Sequence, residues 1–266
     1  MTLEQAADAL GLDLWGAARL VELGDLPDPE SLDAARLSSL AEPRAQRRSA
    51  ALDEIAAMDG PHLAIEWPGE PAPADPPTAR QTAPAIFIDA CVLAGAVRRH
   101  LVLGFAAAGL LQPRWSPRVL FETGHAHAKI VEAKPGRDGA GEAARLVVAL
   151  EQAVPEGSVP EDHGVEIGGR LPDEGDRHVI ESALASGAAM ILTDNIKDFP
   201  RQVLEPHAIY ARTPAEYFAS RLGCDPAAGP ALMAAAARLK LSPPQFARAL
   251  QQARLGGLAK RLGLIA

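Results

Sequence analysis

Residues 171–200 read LPDEGDRHVIESALASGAAMILTDNIKDFP. A turn carrying Asp173 and Asp176 opens the stretch, and a helix follows from Arg177 to about Ser186. Gly187 stops that helix, being free to take the left-handed conformation. A short apolar strand at residues 189–193 comes next and ends on Asp194, Asn195 and Asp198. This order places acids at a helix start and at the C-terminal end of a strand. In an open parallel α/β sheet the crevice that binds ligands lies at those strand ends. Carboxylates gathered there repel one another unless a cation compensates them, and Mg²⁺ or Mn²⁺, which prefer oxygen ligands, are the natural candidates.

The composition frames that crevice. The 266 residues exceed a typical single domain, so one domain of ordinary size with smaller additions is expected. Aromatics are only 4% of the chain, so the core should be mainly aliphatic. The formal charge of −8 argues against broad non-specific nucleic-acid binding, but not against an enzyme whose bound metal supplies local positive charge. Cys91 and Cys224 form no disulfide framework, which fits a reducing cytoplasm. Residues 1–24 carry acids throughout, so no signal peptide is expected, and no stretch is long and apolar enough to span a membrane.

Residues 1–60 look like a small helical unit. Thr2 and Gln5 match a capping box before the apolar face Leu3, Ala6, Ala7 and Leu10. Asp13 can cap a second helix that ends by Gly24 and Pro27, and residues 43–58 suggest a further helix that packs on a partner surface. Residues 61–84 contain seven prolines and mark an extended linker or arm, in which HLAIEW (62–67) could anchor. At Ala85 the composition changes. A buried strand run ends on Asp89, for which the bland role is a helix N-cap. Arg98 to Leu110 forms an amphipathic helix, and an extended lead-in around Pro113 precedes a helix capped by Ser116 with Pro117 in its first turn. Glu122, His125 and His127 lie on that helix. Residues 208–211 read as an edge strand, and residues 213–266 as helical runs at 214–222, 227–239 and 243–253. Helices alternating with strands call for a parallel sheet.

IFIDACVL (86–93), GLLQPRWSPRVLFE (109–122), LPDEGDRHVIESAL (171–184) and ILTDNIKDFP (191–200) occur in that order. As an ordered set they resemble PIN-domain ribonucleases, specifically the branch found as VapC-type toxins in bacterial toxin–antitoxin pairs. The resemblance implies a PIN-like α/β/α sandwich over residues 85–212, with a helical C-terminal extension at 213–266. It also implies a Mg²⁺- or Mn²⁺-dependent endoribonuclease in which Asp89, Glu122, Asp176 and Asp198 are catalytic. Those four, with Asp173 and Asn195, would hold the metal. Two departures stand out: Cys91 replaces the polar Asn common in relatives, weakening support of Asp89, and Asp194 adds an acid that is either a ligand or a solvated strand end.

TLEQAADALGLDLWGAARLVELGDLP, at the start of the chain, resembles the helix-turn-helix of excisionase-like antitoxins. Preceding the nuclease in one chain, it is read as an intramolecular antitoxin-like segment. A guanidinium can pair with two carboxylate oxygens where a metal would sit, so Arg80, with Arg44, Arg47 and Arg48 as alternatives, is the candidate inhibitory contact. Arg177 at its helix start is the candidate contact to substrate phosphate. The unit should not bind an operator tightly. Its second helix begins Leu14-Trp15-Gly16-Ala17 with no base-reading side chain, the basic wing is missing, and residues 1–60 carry about twice as many acids as arginines. A homodimer is left open.

Other chemistries are poorer fits. Ser116 and His125 make no nucleophile elbow, Cys91 has no evident base, and no phosphate-cradling Gly loop is present. His125 and His127 lack the second cluster that zinc requires. Two alternatives remain from other classes: a catalytically inactive PIN domain serving as a binding module, and a phosphoacceptor receiver built on Asp89, Thr193 and Lys197.

Overall fold

The computed structural model describes residues 1–59, 83–161 and 163–265; the proline-rich arm, with HLAIEW and Arg80, lies outside them. Thr2 starts α1 (Leu3–Leu10) through the expected capping box: its Oγ1 accepts from the Gln5 N–H at 3.2 Å and its own N–H donates to Gln5 Oε1 at 2.9 Å. Asp13 caps α2 (Leu14–Glu22), accepting from the Gly16 N–H at 2.8 Å. The next helix, α3 (Ala34–Asp59), begins earlier than expected because Asp33 accepts from the Arg36 N–H at 2.7 Å and fixes the first turn there. Pro43 sits inside it, where its missing N–H removes one helical hydrogen bond.

The sheet follows. β1 (Ala85–Ile88) leads into α4 (Ala90–Leu93) and α5 (Ala96–Ala107), then β2 (Gln112–Arg114). α6 (Pro117–Glu132) and α7 (Gly139–Ala153) precede α8 (Arg177–Ala185), β3 (Met190–Leu192), α9 (Arg201–Leu204) and β4 (Tyr210–Arg212). All four strands are parallel, in the order β2-β1-β3-β4. The lead-in around Pro113 is therefore a strand. Proline is tolerated there because β2 is an edge, where the missing N–H breaks no ladder on the outer side. β4 begins later than expected, because Ala208 takes a left-handed φ of 55° at the end of the preceding turn and cannot be extended.

β1 lies in the middle of the main core, with Ile86, Phe87 and Ile88 fully buried as a doubly covered parallel strand requires. The C-terminal segment forms α10 (Pro214–Cys224), α11 (Ala228–Arg238), α12 (Pro243–Gln252) and α13 (Gly256–Arg261); the last was not expected, its Gly-Gly start giving no helix signal. Phe218 of α10 meets Phe105 of α5 edge-on at 4.9 Å between centroids. A Cβ on Gly104 would stand 3.2 Å from the Ala231 carbonyl oxygen, so glycine lets α11 approach α5 closely. No helix among the described residues is long and apolar enough to cross a membrane.

Packing draws no line at residue 60. α1, α2 and the start of α3 enclose a small core of Ala6, Leu12, Leu20, Leu26, Leu32 and Leu37, whereas Ala51, Leu52 and Ile55 of α3 belong to the main core. Three buried polar contacts add to this. Arg114, with 0% of its side chain exposed, donates to Asp13 Oδ1 at 2.6 Å. Glu156, 3% exposed, is held by Arg44 at 3.0 Å and by Arg48. Asp59 takes both oxygens to buried Arg99, at 2.5 and 2.6 Å, and one to His100 at 2.9 Å.

Candidate active site

The reversal of strand order at β1 opens the crevice between the ends of β1 and β3, where the chain leaves toward β2 on one side and β4 on the other. Asp89 follows β1 and occupies the N-cap position of α4, yet its side chain makes no cap bond. Its Oδ2 instead accepts from Thr193 Oγ1 at 2.6 Å and from Cys91 Sγ at 3.0 Å. Thr193 Oγ1 in turn accepts from the Asn195 N–H at 2.9 Å, and Cys91 Sγ from the Asp194 N–H at 3.3 Å. The backbone leaving β3 thus orients the carboxylate leaving β1. Cys91 is one of the two side-chain donors to Asp89, and so takes part in holding that carboxylate. Its thiol is pushed up to about 12, by burial first and then by the Asp89 charge, so it stays protonated and able to donate.

Asp198 is buried, and Asn195 Nδ2 donates to its Oδ2. Asp176 stands at the N-cap position of α8, again without a cap bond. Its carboxyl is raised to about 6 by burial first, then by the charges of Asp89, Asp173, Asp198 and Glu122. Five carboxyl groups from four separate segments therefore share one electrostatic field. Glu122, on α6, is raised by burial, against the pull of Arg118, whose Nε donates to its Oε1 at 3.2 Å. Arg118 also donates to the Gly175 carbonyl at 3.3 Å, joining α6 to the turn that carries Asp173 and Asp176. His178 Nε2 lies 3.3 Å from Glu122 Oε1 but is lowered to about 4, by burial and then by Arg118, so it is neutral at pH 7 and adds no charge.

The other candidates fall in different places. Asp173 accepts from the Gly175 N–H at 2.8 Å, shaping its own turn. Arg177 donates to Glu174 at 2.6 and 2.8 Å and to the carbonyls of Ile167 and Gly169, which occupies its guanidinium with the approach to α8. Arg44 and Arg48 engage Glu156 and Arg47 engages Asp25, so the expectation that one of them faces the crevice carboxylates does not hold. Their partners belong to the docking of α3, where a buried Glu156 requires a cation. His125 is exposed and His127 buried; at a spacing of two on a helix they cannot share a ligand. Lys197 is exposed.

Thr193 was singled out only for the receiver alternative, not as a donor to Asp89, and Arg118 and Arg98 were not singled out from the sequence. Arg118 had a signal, since it precedes Glu122 by one helical turn. Arg98 had none: it is brought by α5 to Asp194, with Nε 3.0 Å from Oδ2, and its Nη2 donates to the Ala253 carbonyl at 2.8 Å.

Among the described residues no three His, Cys, Asp or Glu side chains converge as a ready-made metal cluster. The donor set nevertheless suits a hard divalent ion, because it is all oxygen and its mutual repulsion adds to burial in raising the Asp176 carboxyl. Comparisons of the sequence with protein-family models and with curated proteins, and a comparison with solved structures, found no match.

Proposed function

We propose that the chain is a divalent-metal-dependent endoribonuclease of PIN type, as in bacterial toxin–antitoxin pairs. The observation that supports this reading is the gathering of Asp89 and Asp198, which follow β1 and β3, with Asp173, Asp176 and Glu122, whose charges add to burial in raising the Asp176 carboxyl. Asp89, Glu122, Asp176 and Asp198 would hold Mg²⁺ or Mn²⁺, with Asp173 and Asn195 at the margin. Such an ion supplies an activated water and neutralises charge on the phosphate during hydrolysis. Thr193 and Cys91 orient Asp89, Asn195 orients Asp198, and Arg118 steadies Glu122 against α8. Binding a cation releases the proton that Asp176 otherwise keeps near pH 6.

The N-terminal unit is in this reading an intramolecular partner of the nuclease domain. Arg44 and Arg48 are engaged by Glu156 and Arg47 by Asp25, so of the arginines considered for the crevice Arg80 of the arm is the remaining candidate. A second reading, an inactive PIN-like binding module, is favoured by the lack of a ready-made metal cluster among the described residues. Incubating the full chain with a mixed RNA pool, with and without Mn²⁺, separates the two. Metal-dependent cleavage abolished by Asp89→Asn supports the nuclease; RNA left intact at every Mn²⁺ concentration supports the module. Faster cleavage by Arg80→Ala than by the wild type would add inhibition by the arm.

A further inference from the structure

Charge is distributed very unevenly along this acidic chain. Residues 226–266 hold six of its 26 basic residues and none of its 34 acidic ones. That segment carries +6, and the first 225 residues carry −14, within the total of −8. Apolar packing of α11, α12 and α13 needs no such bias, because the buried residues there are Ala, Leu and Phe.

The cations are also placed unequally. Arg238 is tied to Asp53 of α3, and Arg261 donates to the Ala219 carbonyl at 3.0 Å. Arg248 on α12, Arg254 in the following turn and Lys260 on α13 are exposed, and none has a carboxylate partner among the described residues. Arg254 holds a left-handed φ of 59°. Its neighbour Ala253 accepts from Arg98 through its carbonyl, and the same guanidinium reaches Asp194 at the end of β3. One half-buried side chain thus joins the acid-free segment to the end of β3.

We propose that the exposed face of α12, its turn and α13 is the surface on which a single-stranded RNA backbone docks as it leads to the crevice, with Arg248, Arg254 and Lys260 contacting phosphates. This rests on the nuclease reading for its choice of polyanion. A crevice of five carboxyl groups repels phosphate, so the strand needs its attraction supplied beside the crevice rather than within it. Spaced cations without base-edge readers hold a backbone and leave sequence unread.

The test uses the full chain in EDTA, so that turnover is silent, and follows the anisotropy of a fluorescein-labelled oligouridylate across a salt series. The triple variant Arg248→Gln, Arg254→Gln, Lys260→Gln should bind at least about tenfold more weakly at low salt. Its slope of log K against log salt should fall by about 2, for three lost contacts on a single strand. A companion, Arg248→Lys with Arg254→Lys, disturbs the same positions but keeps the charge, and should bind like the wild type. The proposal is overturned if the triple variant keeps wild-type affinity and slope, or if the charge-keeping companion loses binding equally. It is also overturned if the triple variant loses only adhesion to phosphatidylglycerol vesicles, which would make the surface a membrane contact. Charge-dependent RNA binding without Mn²⁺-dependent cleavage would remove the nuclease reading and leave the docking surface. Cleavage with an unchanged KM in the triple variant would do the reverse.

Discussion

Arg114, fully buried on the edge strand β2, donates to Asp13 Oδ1 at 2.6 Å while its guanidinium lies 4.5 Å from the Trp15 ring centroid. The two charges are 101 residues apart in the chain, and each belongs to a segment that would be read alone as a separate module. The Asp13 N–H also donates to Gln112 Oε1 at 3.1 Å, so the start of α2 is pinned to β2 by side chains on both sides. Removing Asp13, itself half-buried, leaves the buried Arg114 guanidinium without its carboxylate and α2 without its cap. Asp13→Ala is expected to cost about 3 kcal/mol in denaturant unfolding, in the range for breaking a buried pair. A loss under about 0.5 kcal/mol, the scale of ordinary surface changes, would show that the contact adds nothing.

Truncation to residues 85–266 should be worse than any single change. It strips Asp13 from Arg114, Arg44 and Arg48 from Glu156, and Asp59 from Arg99 and His100. It also removes Ala51, Leu52 and Ile55 from the main core. The fragment is expected to aggregate or to melt well below the full chain by circular dichroism. A fragment with wild-type melting would mean that the two parts are independent.

Acid should loosen the same interface in two steps. Burial lowers His100 from 6.5, so the fold favours the neutral ring, and stability falls as pH drops through that value. Burial alone would raise Asp59, but Arg99 and the His100 hydrogen bond hold it at about 2. Its contribution of about 2 kcal/mol is complete above the unfolded value of 3.8 and is lost as pH falls toward 2. Asp176, raised to about 6, has the opposite sign between 3.8 and 6, so the titration is best followed in Asp176→Asn. Unfolding free energy that stays flat from pH 7 to pH 3 in that variant would sink this account.

The crevice should respond to the loss of one charge. Asp89→Asn is expected to abolish Mn²⁺ binding by calorimetry while leaving the metal-free fold as stable or slightly more so, because a repelling carboxylate is gone. Thr193→Val, which removes the 2.6 Å hydrogen bond to Asp89 and the acceptor of the Asn195 N–H, should weaken Mn²⁺ by about 10- to 100-fold. Unaltered Mn²⁺ affinity in both variants would show that Asp89 is no ligand.

The N-terminal unit should fail to retard DNA from its own upstream region at physiological salt. In helix-turn-helix readers the N-terminal residues of the second helix face the bases. Here that turn faces β2: a Cβ on Gly16 would lie 3.5 Å from Arg114 Nη2 and 3.6 Å from Gln112 Oε1. Nanomolar, sequence-specific retardation by the full chain would contradict this.

Local rules carried much of this molecule. The Thr2–Gln5 capping box, the Asp13 and Ser116 caps, the Gly187 stop and the parallel β1 and β3 runs all follow from neighbours in the chain. The nearness of Asp89, Asp173, Asp176 and Asp198 follows in the same way, since acids after parallel strands and at helix starts fall at one end of a sheet, whereas Glu122, inside α6, was expected beside them only through the resemblance. Edges and turns were less legible. β2 was obscured by Pro113, which an edge tolerates, and β4 was shifted by a left-handed alanine.

What the sequence could not contain was partnership at a distance. Arg114, Glu156 and Arg99 look like ordinary surface charges until burial forces each to find an opposite charge, and those lie on α2, α3 and the end of α3. Likewise nothing near Asp89 indicated that its donors would be Cys91 and Thr193 rather than the N–H groups of the helix it precedes. Helix caps and strand runs depend on residues within a turn or two, so the sequence by itself determines them. Which charge is desolvated, and what compensates it, depends on the packed surface around it, and only the tertiary structure decides that.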